Sequence, residues 1–363
     1  MKCKPLKDVA QIIMGQSPDS SSYNEVGEGF PFFQGNADFG VMYPSERIWC
    51  NQPKKIANEN DILISVRAPI GALNYANKKC CIGRGLAAIT VNNPVERNYI
   101  FHLLKAKNAE LNRKGTGSTF KAIGKNVLED IPVPIVSSEI QLHITRLMDI
   151  TESIISKRKN ELKYYDELIK ARFVEMFGDL RANPFGFKKK KLKDTCIVIT
   201  GNTPSRSVPE YYGDYMEWIK TDNIVTGFLN PTKSVEYLSE AGVNVGRTVE
   251  KDSILMSCIA GSVASIGRVC ITNRKVAFNQ QINAVIPKEY DVLFLYVMLQ
   301  MSKDYLTEEI NMALKGILSK SKLEEKEFVI PPIKQQKQFA TFVTQVDKSK
   351  VMKRLRLSTN SFC

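Results

Sequence analysis

The feature that most restricts the fold of this 363-residue chain is an internal repeat, because short motifs recur in the same order in both halves. Residues 6–8 (Leu-Lys-Asp) recur at 192–194, and Gly-Gln-Ser-Pro at 15–18 is matched by Gly-Asn-Thr-Pro at 201–204. The pairs that continue the series are 32–36 with 218–223, 61–65 with 252–257, 70–71 with 266–267, and 83–89 with 279–285. Motif order preserved over such a length indicates a duplicated domain.

Each repeat combines short apolar runs with helical stretches. Runs such as 62–66 and 282–286 are rich in Ile and Val and bounded by turn residues, so they predict strands. Each repeat then closes with a Pro-rich strand end, at 131–134 and 329–332, before a Gln-containing helix. We therefore predict two similar domains of mixed α/β (α+β) class, at residues 1–138 and 179–333.

A long helix is predicted between the two domains, at residues 139–178. The segment contains no Pro or Gly before Gly178, which is placed to cap its C-terminus. Its apolar side chains recur every seven residues, as in the seam of a coiled coil. These side chains are Met148, Ile155, Leu162, Ile169 and Met176, accompanied by Leu147, Ile154 and Leu168.

A weaker apolar stripe that includes Phe339 and Val346 predicts a second helix at 334–363. We predict that the two helices pair antiparallel, which would relate the two domains by a pseudo-twofold axis. The alternative is a single long helix that packs only on its own domains. Because the second helix is shorter and lacks a counterpart of 172–178, we expect part of the central helix near Gly178 to be unpaired. It would then be either covered by a partner subunit or left exposed.

The net charge of +13 is concentrated in basic blocks at 78–125, 181–193 and 348–356. Such blocks indicate surfaces that meet a polyanion, although solubility alone is an alternative explanation. The eight cysteines show no C-x-x-C spacing, which favours a reducing compartment and gives no zinc site. With neither a signal peptide nor a membrane span in the sequence, we expect a cytoplasmic protein.

The sequence lacks the motifs of common catalytic sites. Gly124-Lys125 is followed by Asn126, so it is not a phosphate-binding loop. The two histidines, His102 and His143, lie on predicted helices away from any cysteine or carboxylate cluster and are interpreted as packing or surface residues. Two similar halves without a reactive centre favour a binding protein over an enzyme.

The combination of motifs and architecture resembles the specificity (S, HsdS) subunit of type I restriction–modification systems. The resemblance covers essentially the whole chain and includes the repeat, the central helix that ends at Gly178, and a second helix at the C-terminus. Its most specific motifs are Trp-Ile-Lys-Thr-Asp-Asn at 218–223, Ile-Gly-Arg at 266–268 and Asn-Gln-Gln at 279–281. It implies two target-recognition domains that each read half of a bipartite DNA target, with the helices setting the spacer.

The same resemblance implies that this chain is non-catalytic and holds no cofactor. Its partners would be double-stranded DNA and two methyltransferase (M) subunits that dock on the helices and methylate adenine with S-adenosylmethionine. Restriction (R) subunits that use ATP and Mg²⁺ could join them. The shortened second helix leaves open whether the chain assembles an active complex by itself.

The residues expected to contact DNA are polar or basic and lie in the repeated loops. Asn and Gln can pair with adenine and Arg with guanine, whereas Lys and Arg on phosphates fix register. The first group is Gln16, Ser17, Gln34, Asn36, Arg84, Asn202, Thr203, Arg206, Lys220, Asn223, Asn279, Gln280 and Gln281. A second group resembles paired phosphate loops, in which Lys114, Ser118, Lys121 and Lys125 correspond to Lys315, Ser319, Lys320 and Lys322. Each residue could instead be a turn or solvated surface residue, and the Gly and Pro at 15–18 suit a turn.

Two other functional classes remain open. A stand-alone DNA-binding regulator would use the helices for dimerisation and need no enzyme partner. A structural adaptor would not bind DNA. Neighbouring methyltransferase genes would favour the specificity subunit over the regulator, whereas absence of DNA binding at any salt concentration would favour the adaptor.

Overall fold

A computed structural model describes residues 2–117, 121–260, 262, 265–308, 310 and 316–359. The chain divides into two compact units, Met1–Ile154 and Ile155–Cys363. The long helix Ser138–Phe177 contributes residues to both units. Within the described ranges, no helix is long and apolar enough to cross a membrane.

The first unit is built from short strands followed by helices. Its strands are β1 (Cys3–Pro5), β2 (Gln11–Met14), β3 (Tyr23–Asn24), β4 (Phe30–Phe33), β5 (Trp49–Cys50), β6 (Ile56–Ala57), β7 (Ile62–Ser65), β8 (Leu73–Tyr75), β9 (Cys80–Ile82), β10 (Leu86–Thr90) and β11 (Pro132–Pro134). Its helices are α1 (Pro94–Ala106), α2 (Asn108–Lys114), α3 (Lys125–Glu129) and the first part of α4 (Ser138–Phe177). The strands form sheets of order β2-β10-β7-β8, β3-β5-β4-β9-β6 and β1-β11.

The second unit repeats this plan. Its strands are β12 (Lys189–Lys191), β13 (Cys196–Thr200), β14 (Tyr212–Gly213), β15 (Met216–Ile219), β16 (Tyr237–Leu238), β17 (Thr248–Val249), β18 (Ile254–Ser257), β19 (Ile259–Ala260), β20 (Val269–Ile271), β21 (Val276–Phe278), β22 (Ile282–Pro287), β23 (Gly316–Ile317) and β24 (Glu327–Val329). Its helices are the rest of α4, then α5 (Leu192–Thr195), α6 (Glu240–Val245), α7 (Val292–Met301), α8 (Lys303–Thr307), α9 (Lys320–Glu325) and α10 (Ile333–Thr359).

The sheets of the two units have matching strand orders. Sheets β13-β22-β18-β20, β14-β16-β15-β21-β17 and β12-β24 reproduce those of the first unit, and β19-β23 is an additional pair. In each five-stranded sheet one pair is parallel, β4 with β9 and β15 with β21. The predicted mixed α/β class and internal duplication are therefore confirmed.

The turn before β7 and β18 corrects one detail of the repeat. Asn60 and Asp252 both adopt a left-handed backbone, with φ of 69° and 64°, a conformation that Asn and Asp tolerate. Asp252 therefore corresponds to Asn60, and the buried Asp61 corresponds to the buried Ser253. The sequence match of Asp61 with Asp252 was one residue out of register, because both are acidic residues at the start of an apolar run.

An aromatic cluster joins α4 to α10 and to the core of the second unit. The ring of Phe339 lies 5.4 Å from that of Phe173 and 5.6 Å from that of Phe177, and Phe294 of α7 lies 4.8 Å from Phe177. Further along both helices, the amino group of Lys350 pairs with Asp166. Later residues of α10 thus meet earlier residues of α4, so the two helices pack antiparallel here.

Among the described side chains, the seven-residue seam is most buried towards the C-terminal end of α4. Ile169, Phe339 and Val346 are buried in the core of the second unit, with Met176 packed beside them. Ile155 and Leu162 are half-buried, and Met148 is 36% exposed. The sequence scan missed Phe173 and Phe177, because with Ile169 they follow the helical 3.6-residue period of a face that packs on a globular core.

The first part of α4 contacts its own unit through a different face. Gln141 and Thr145 are buried, Ile144 packs against the core, and Asp149 accepts a 2.9 Å hydrogen bond at the His102 ring of α1. His102 is buried, as expected of a packing residue, and a helix much later in the sequence supplies its partner Asp149. Leu147, Ile154 and Leu168 point away from both contact faces and are exposed.

The expectation that the central helix is unpaired near Gly178 was wrong, because Phe177 packs against Phe339 of α10. Phe177 and Gly178 are buried, because the start of one antiparallel helix meets the end of the other. Exposed apolar side chains elsewhere on α4 include Leu147, Ile150, Ile154 and Leu168.

We predict that Phe173→Ala lowers the free energy of unfolding by about 3–5 kcal/mol, because it removes a fully buried ring. Leu168→Ala, on an exposed position of the same helix, should cost less than about 1 kcal/mol. Urea unfolding of both variants measures the difference. Equal losses would show that the aromatic cluster does not anchor α4.

Candidate nucleic-acid interface

Three loops meet at the end of the sheets in the first unit, and main-chain hydrogen bonds tie them together. The amide of Gln16 donates to the carbonyl of Ile82 at 3.0 Å, that of Gly83 to Phe33 at 2.8 Å, and that of Gly85 to Gln34 at 3.1 Å. We call the loops 15–18, 34–38 and 83–85 the loop frame of the first unit. The frame brings the predicted residues Gln16, Ser17, Gln34, Asn36 and Arg84 together.

The side chains on this frame leave polar groups exposed. Gln16, Gln34 and Arg84 are exposed, whereas Ser17 accepts a 3.2 Å hydrogen bond from the Arg84 amide. A small cavity of about 190 Å³ lies between the loops. It is lined by Gln34, Gly35, Asn36, Arg67, Ala68, Arg84 and Gly85. Arg and amide side chains around a shallow cavity match the donors and acceptors of DNA base edges.

Arg67 is a cavity-lining residue that the sequence analysis missed. It is exposed, and neither it nor Arg84 has an ion-pair partner in the part of the chain that the structure describes. The amide of Val66 donates to the carbonyl of Gly85, and in the second unit the amide of Cys258 donates to that of Gln281. The residues that follow are therefore equivalent, and Ile259 takes the place of Arg67. A search that relied on repeated motifs therefore passed over Arg67. Its position directly after a buried strand was the available signal.

The predicted phosphate loop of the first unit lies beside Arg67. Ala122 forms an isolated antiparallel β-bridge with Arg67, and the amide of Ala68 donates to the carbonyl of Lys121 at 3.0 Å. Lys121 is exposed, whereas Lys114 and Lys125 pair with Glu110 at 2.9 Å and Glu129 at 3.2 Å. Hydrogen bonds from Lys107 and Lys114 lower the pKa of Glu110 to about 2. Ser118 lies outside the described residues.

The counterpart in the second unit is shifted from the sequence match. The amide of Leu318 donates to the carbonyl of Cys258, and in the first unit the amide of Ile123 donates to the carbonyl of Val66, both at 2.9 Å. Lys320 therefore corresponds to Lys125 and Gly316 to Lys121, a shift that the abundance of lysine concealed. Lys320 pairs with Glu324 at 3.6 Å, Ser319 caps α9 through the Lys322 amide, and Lys322 is exposed. Lys315 is outside the described ranges.

The loop frame recurs in the second unit at residues 201–204, 220–223 and 279–281. The amide of Asn202 donates to Phe278 at 3.2 Å, that of Asn279 to Ile219 at 3.0 Å, and the Thr203 hydroxyl to the side chain of Gln280. Gln16, Gln34 and Arg84 thus correspond to Asn202, Lys220 and Gln280. The same backbone frame carries different side chains in the two units.

Several predicted amides in the second unit close loops instead of pointing outward. The side chain of Asn202 donates to Val245 and accepts from the Arg247 amide, both at 2.8 Å. The side chain of Asn223 accepts a 2.9 Å hydrogen bond from the Lys220 amide and donates to the carbonyl of Lys233. Asn279 is buried and bonds Gln281 through both its oxygen and its nitrogen. These amides fix the backbone on which the exposed residues stand.

Arg206 and Lys220 form a charged cluster with Glu236, a residue that the sequence analysis did not select. The Arg206 guanidinium lies 2.5 Å from Glu236 and 4.3 Å from the centre of the Tyr212 ring, and Lys220 also pairs with Glu236. Hydrogen bonds from Lys220 and Arg206 hold the pKa of Glu236 below its ordinary value. The same carboxylate raises the pKa of Arg206.

Several lysines of the basic blocks pair with acidic residues from elsewhere in the chain. In the block at 181–193, Lys191 and Lys193 share Glu325, and Lys190 pairs with Glu289. In the last block, Lys350 is buried against Asp166. Local charge density in the sequence therefore overstates the positive surface, because folding brings distant carboxylates to these lysines.

The first glycine of each frame is required by a close approach of two backbone segments. A Cβ atom on Gly15 would lie 2.1 Å from the carbonyl oxygen of Gly83, and one on Gly201 would lie 2.1 Å from that of Asn279. Cβ and oxygen atoms cannot approach this closely, so the loops could not stay together. This geometry gives the repeated Gly a structural reason.

We predict that Gly201→Ala destabilises the second unit by about 1–3 kcal/mol, since the loops must separate to admit the methyl group. Gly35→Ala is the matched control, because a Cβ there meets no atom within 4 Å. Thermal or urea unfolding of the full chain measures both. A similar loss in the two variants would mean that the frame yields easily at Gly201.

Comparison with known proteins places both units in one family. The model of the type I restriction modification DNA specificity domain matches residues 1–164 and again residues 184–357. A crystal structure of a type I restriction-modification system S subunit from M. genitalium covers 99% of this chain and 93% of its own chain. Its TM-score is 0.57 at 15% sequence identity, which shows a shared fold.

Curated relatives have corresponding descriptions. A putative type I restriction enzyme MjaX specificity subunit from Methanocaldococcus jannaschii is 45% identical over 152 residues, which cover 42% of this chain. That match spans only 36% of the relative's own length. The MjaIX specificity subunit of the same organism is 21% identical over 91% of this chain and 82% of its own.

Proposed function

Since the chain belongs to the family of type I restriction modification DNA specificity domains, we propose that it is the sequence-reading subunit of a type I restriction–modification system. Each unit would read one half of a bipartite DNA target. The observation that carries this proposal is the repeated loop frame with different exposed side chains in its two copies. A shared backbone would place each unit on DNA in the same way, and the side chains would select the bases.

The first unit offers direct contacts to both bases and phosphates. Arg84 and Gln34 are exposed together on the frame, where Arg suits guanine and Gln suits adenine. Arg67 and Lys121 lie on neighbouring segments and supply positive charge for phosphates. The other predicted residues of both frames would position these groups or contact DNA alongside them.

We propose that the exposed apolar positions of α4 dock the methyltransferase subunits. Leu147, Ile150, Ile154 and Leu168 are exposed, although burial of such side chains is favourable. Two methyltransferase subunits, with S-adenosylmethionine, would supply adenine methylation, and restriction subunits with ATP and Mg²⁺ would supply cleavage. The chain itself would be non-catalytic and act in the cytoplasm.

The test is a genome-wide map of methylated adenines in cells with and without this chain. We expect one bipartite motif, with two short defined parts and a non-specific spacer, to lose its methylation when the chain is absent. A single continuous motif would contradict reading by two units. An unchanged methylation map would contradict the proposal altogether.

We predict that Arg84→Ala weakens specific binding by about 1–3 kcal/mol and relaxes one base position, because it removes a base contact. Lys121→Ala should weaken binding equally on all sequences and lower the salt slope by about one. Lys79→Ala, at the opposite end of β9 from Arg84, is the control. Binding isotherms at several salt concentrations separate these effects, and identical behaviour of the three variants would exclude this assignment.

We also propose that α4, which is continuous from one unit into the other, sets the spacer length of the target. Four residues inserted after Ser156 lengthen a helix by roughly 6 Å, or about two base pairs at ~3.4 Å each. The methylated motif should change its spacer accordingly. The same insertion after Phe185, in an exposed turn, should leave the spacer unchanged; an unchanged spacer in both variants would show that α4 does not set it.

A further inference from the structure

The second loop frame carries two cations around one carboxylate, at positions where the first has the uncharged residues Gln34 and Ile48. Arg206, Lys220 and Glu236 meet above the rings of Tyr212 and Trp218. In the second unit the amide of Trp218 donates to the carbonyl of Glu236 at 3.0 Å. In the first unit the amide of the equivalent Phe32 donates to the carbonyl of Ile48 at 2.8 Å, so Ile48 is the counterpart of Glu236.

The surroundings of the cluster are shared by both units. Tyr23 donates to the carbonyl of Pro18 at 3.0 Å, as Tyr212 donates to that of Pro204 at 2.6 Å. The aromatic residue before the frame is Phe32 in one unit and Trp218 in the other, and each is 3% exposed. The aromatic residues are therefore common to both units, whereas the set of Arg206, Lys220 and Glu236 belongs to the second unit.

The charge composition of the cluster does not suit a phosphate site. A carboxylate between two cations cancels part of their charge and would repel a DNA phosphate. The side chains of Arg206 and Glu236 are nevertheless 57% and 35% exposed. Exposed donors next to an exposed acceptor instead match a base pair, which also presents both kinds of group in the major groove.

Hydrogen bonds hold the backbone and the indole ring beneath the cluster. The indole nitrogen of Trp218 donates to the carbonyl of Asn202 at 3.3 Å, and its carbonyl accepts from Ser234 at 2.7 Å. Ser234 also accepts from the Glu236 amide at 3.3 Å. Contact with the rings of Tyr212 and Trp218 limits the motion of the Arg206 side chain, so less conformational entropy is lost on binding.

We propose that Arg206 and Glu236 together read a G·C base pair in the half-site of the second unit, with Lys220 holding the carboxylate in place. Arg206 has further N–H groups for O6 and N7 of guanine, while Glu236 accepts from the N4 amino group of cytosine. This inference rests on the proposed function, since it assigns a base pair to a surface that is proposed to contact DNA.

The substitution Glu236→Gln tests the carboxylate directly. Gln has the same shape but pairs with adenine N6 and N7, whereas Glu accepts from cytosine N4. We expect the preference for cytosine over adenine at one position to fall roughly 5- to 150-fold, which corresponds to about 1–3 kcal/mol per base contact. Arg206→Lys should weaken the preference for guanine at the paired position, because Lys lacks the planar fork.

Glu325→Gln is the matched control. Glu325 also binds two lysines at the surface, Lys191 and Lys193, but it lies on α9 and not on the loop frame. The experiment selects bound duplexes from a randomised library with the full chain assembled with its methyltransferase subunits, and sequences them. The control should select the same motif as the unmodified chain.

The outcomes separate this inference from the function on which it rests. A bipartite motif that is identical for Glu236→Gln and the unmodified chain would overturn the base-pair assignment while leaving the function intact. No motif for the unmodified chain would contradict the function itself. A change in the half that Arg84→Ala affects, instead of the other half, would also overturn the assignment to the second unit.

Discussion

The loop frame of each unit is held by hydrogen bonds between main-chain groups, and the rest of the candidate surface depends on this constraint. Because Gly83, Gly85 and Gln16 bond through their backbones, their geometry does not require particular exposed side chains. Gly15, Gly85 and Gly201 are exceptions, since a Cβ at any of them would lie 2.1–2.3 Å from a backbone oxygen of a neighbouring loop. A frame of this kind allows the exposed residues to differ, as Gln34 and Lys220 do, without loss of the fold.

The helix α4 satisfies two different packing requirements along its length. Its first part uses Ile144 and Thr145 against the first unit, and its last part uses Phe173 and Phe177 against the second. A strict seven-residue seam could not serve both faces, because an α-helix repeats every 3.6 residues. The remaining apolar positions stay exposed between these contacts, which is why they are candidates for partner subunits.

Much of this architecture could be predicted from the sequence, because the repeat is recorded in residues that the backbone requires. Gly15 and Gly201, and the strand-forming runs at 62–65 and 254–257, occupy equivalent places in both units. The three loops of each frame could be predicted as well, because their motifs also recur in both repeats. Residues absent from one repeat were not found: Arg67 has Ile259 as its counterpart, and Glu236 has Ile48.

The charge of the candidate surface could not be predicted, because it depends on which carboxylates folding brings to each cation. Lys191 and Lys193 belong to a dense basic run, yet both bind Glu325. Arg67 lies outside the basic blocks of the sequence and Arg84 within one, yet the two line one cavity. Within the described residues, Arg67 and Arg84 have no ion-pair partner, whereas Arg206 and Lys220 of the second unit share the carboxylate of Glu236. Under the proposed function, two copies of one backbone with unlike electrostatics favour a target whose halves differ in sequence.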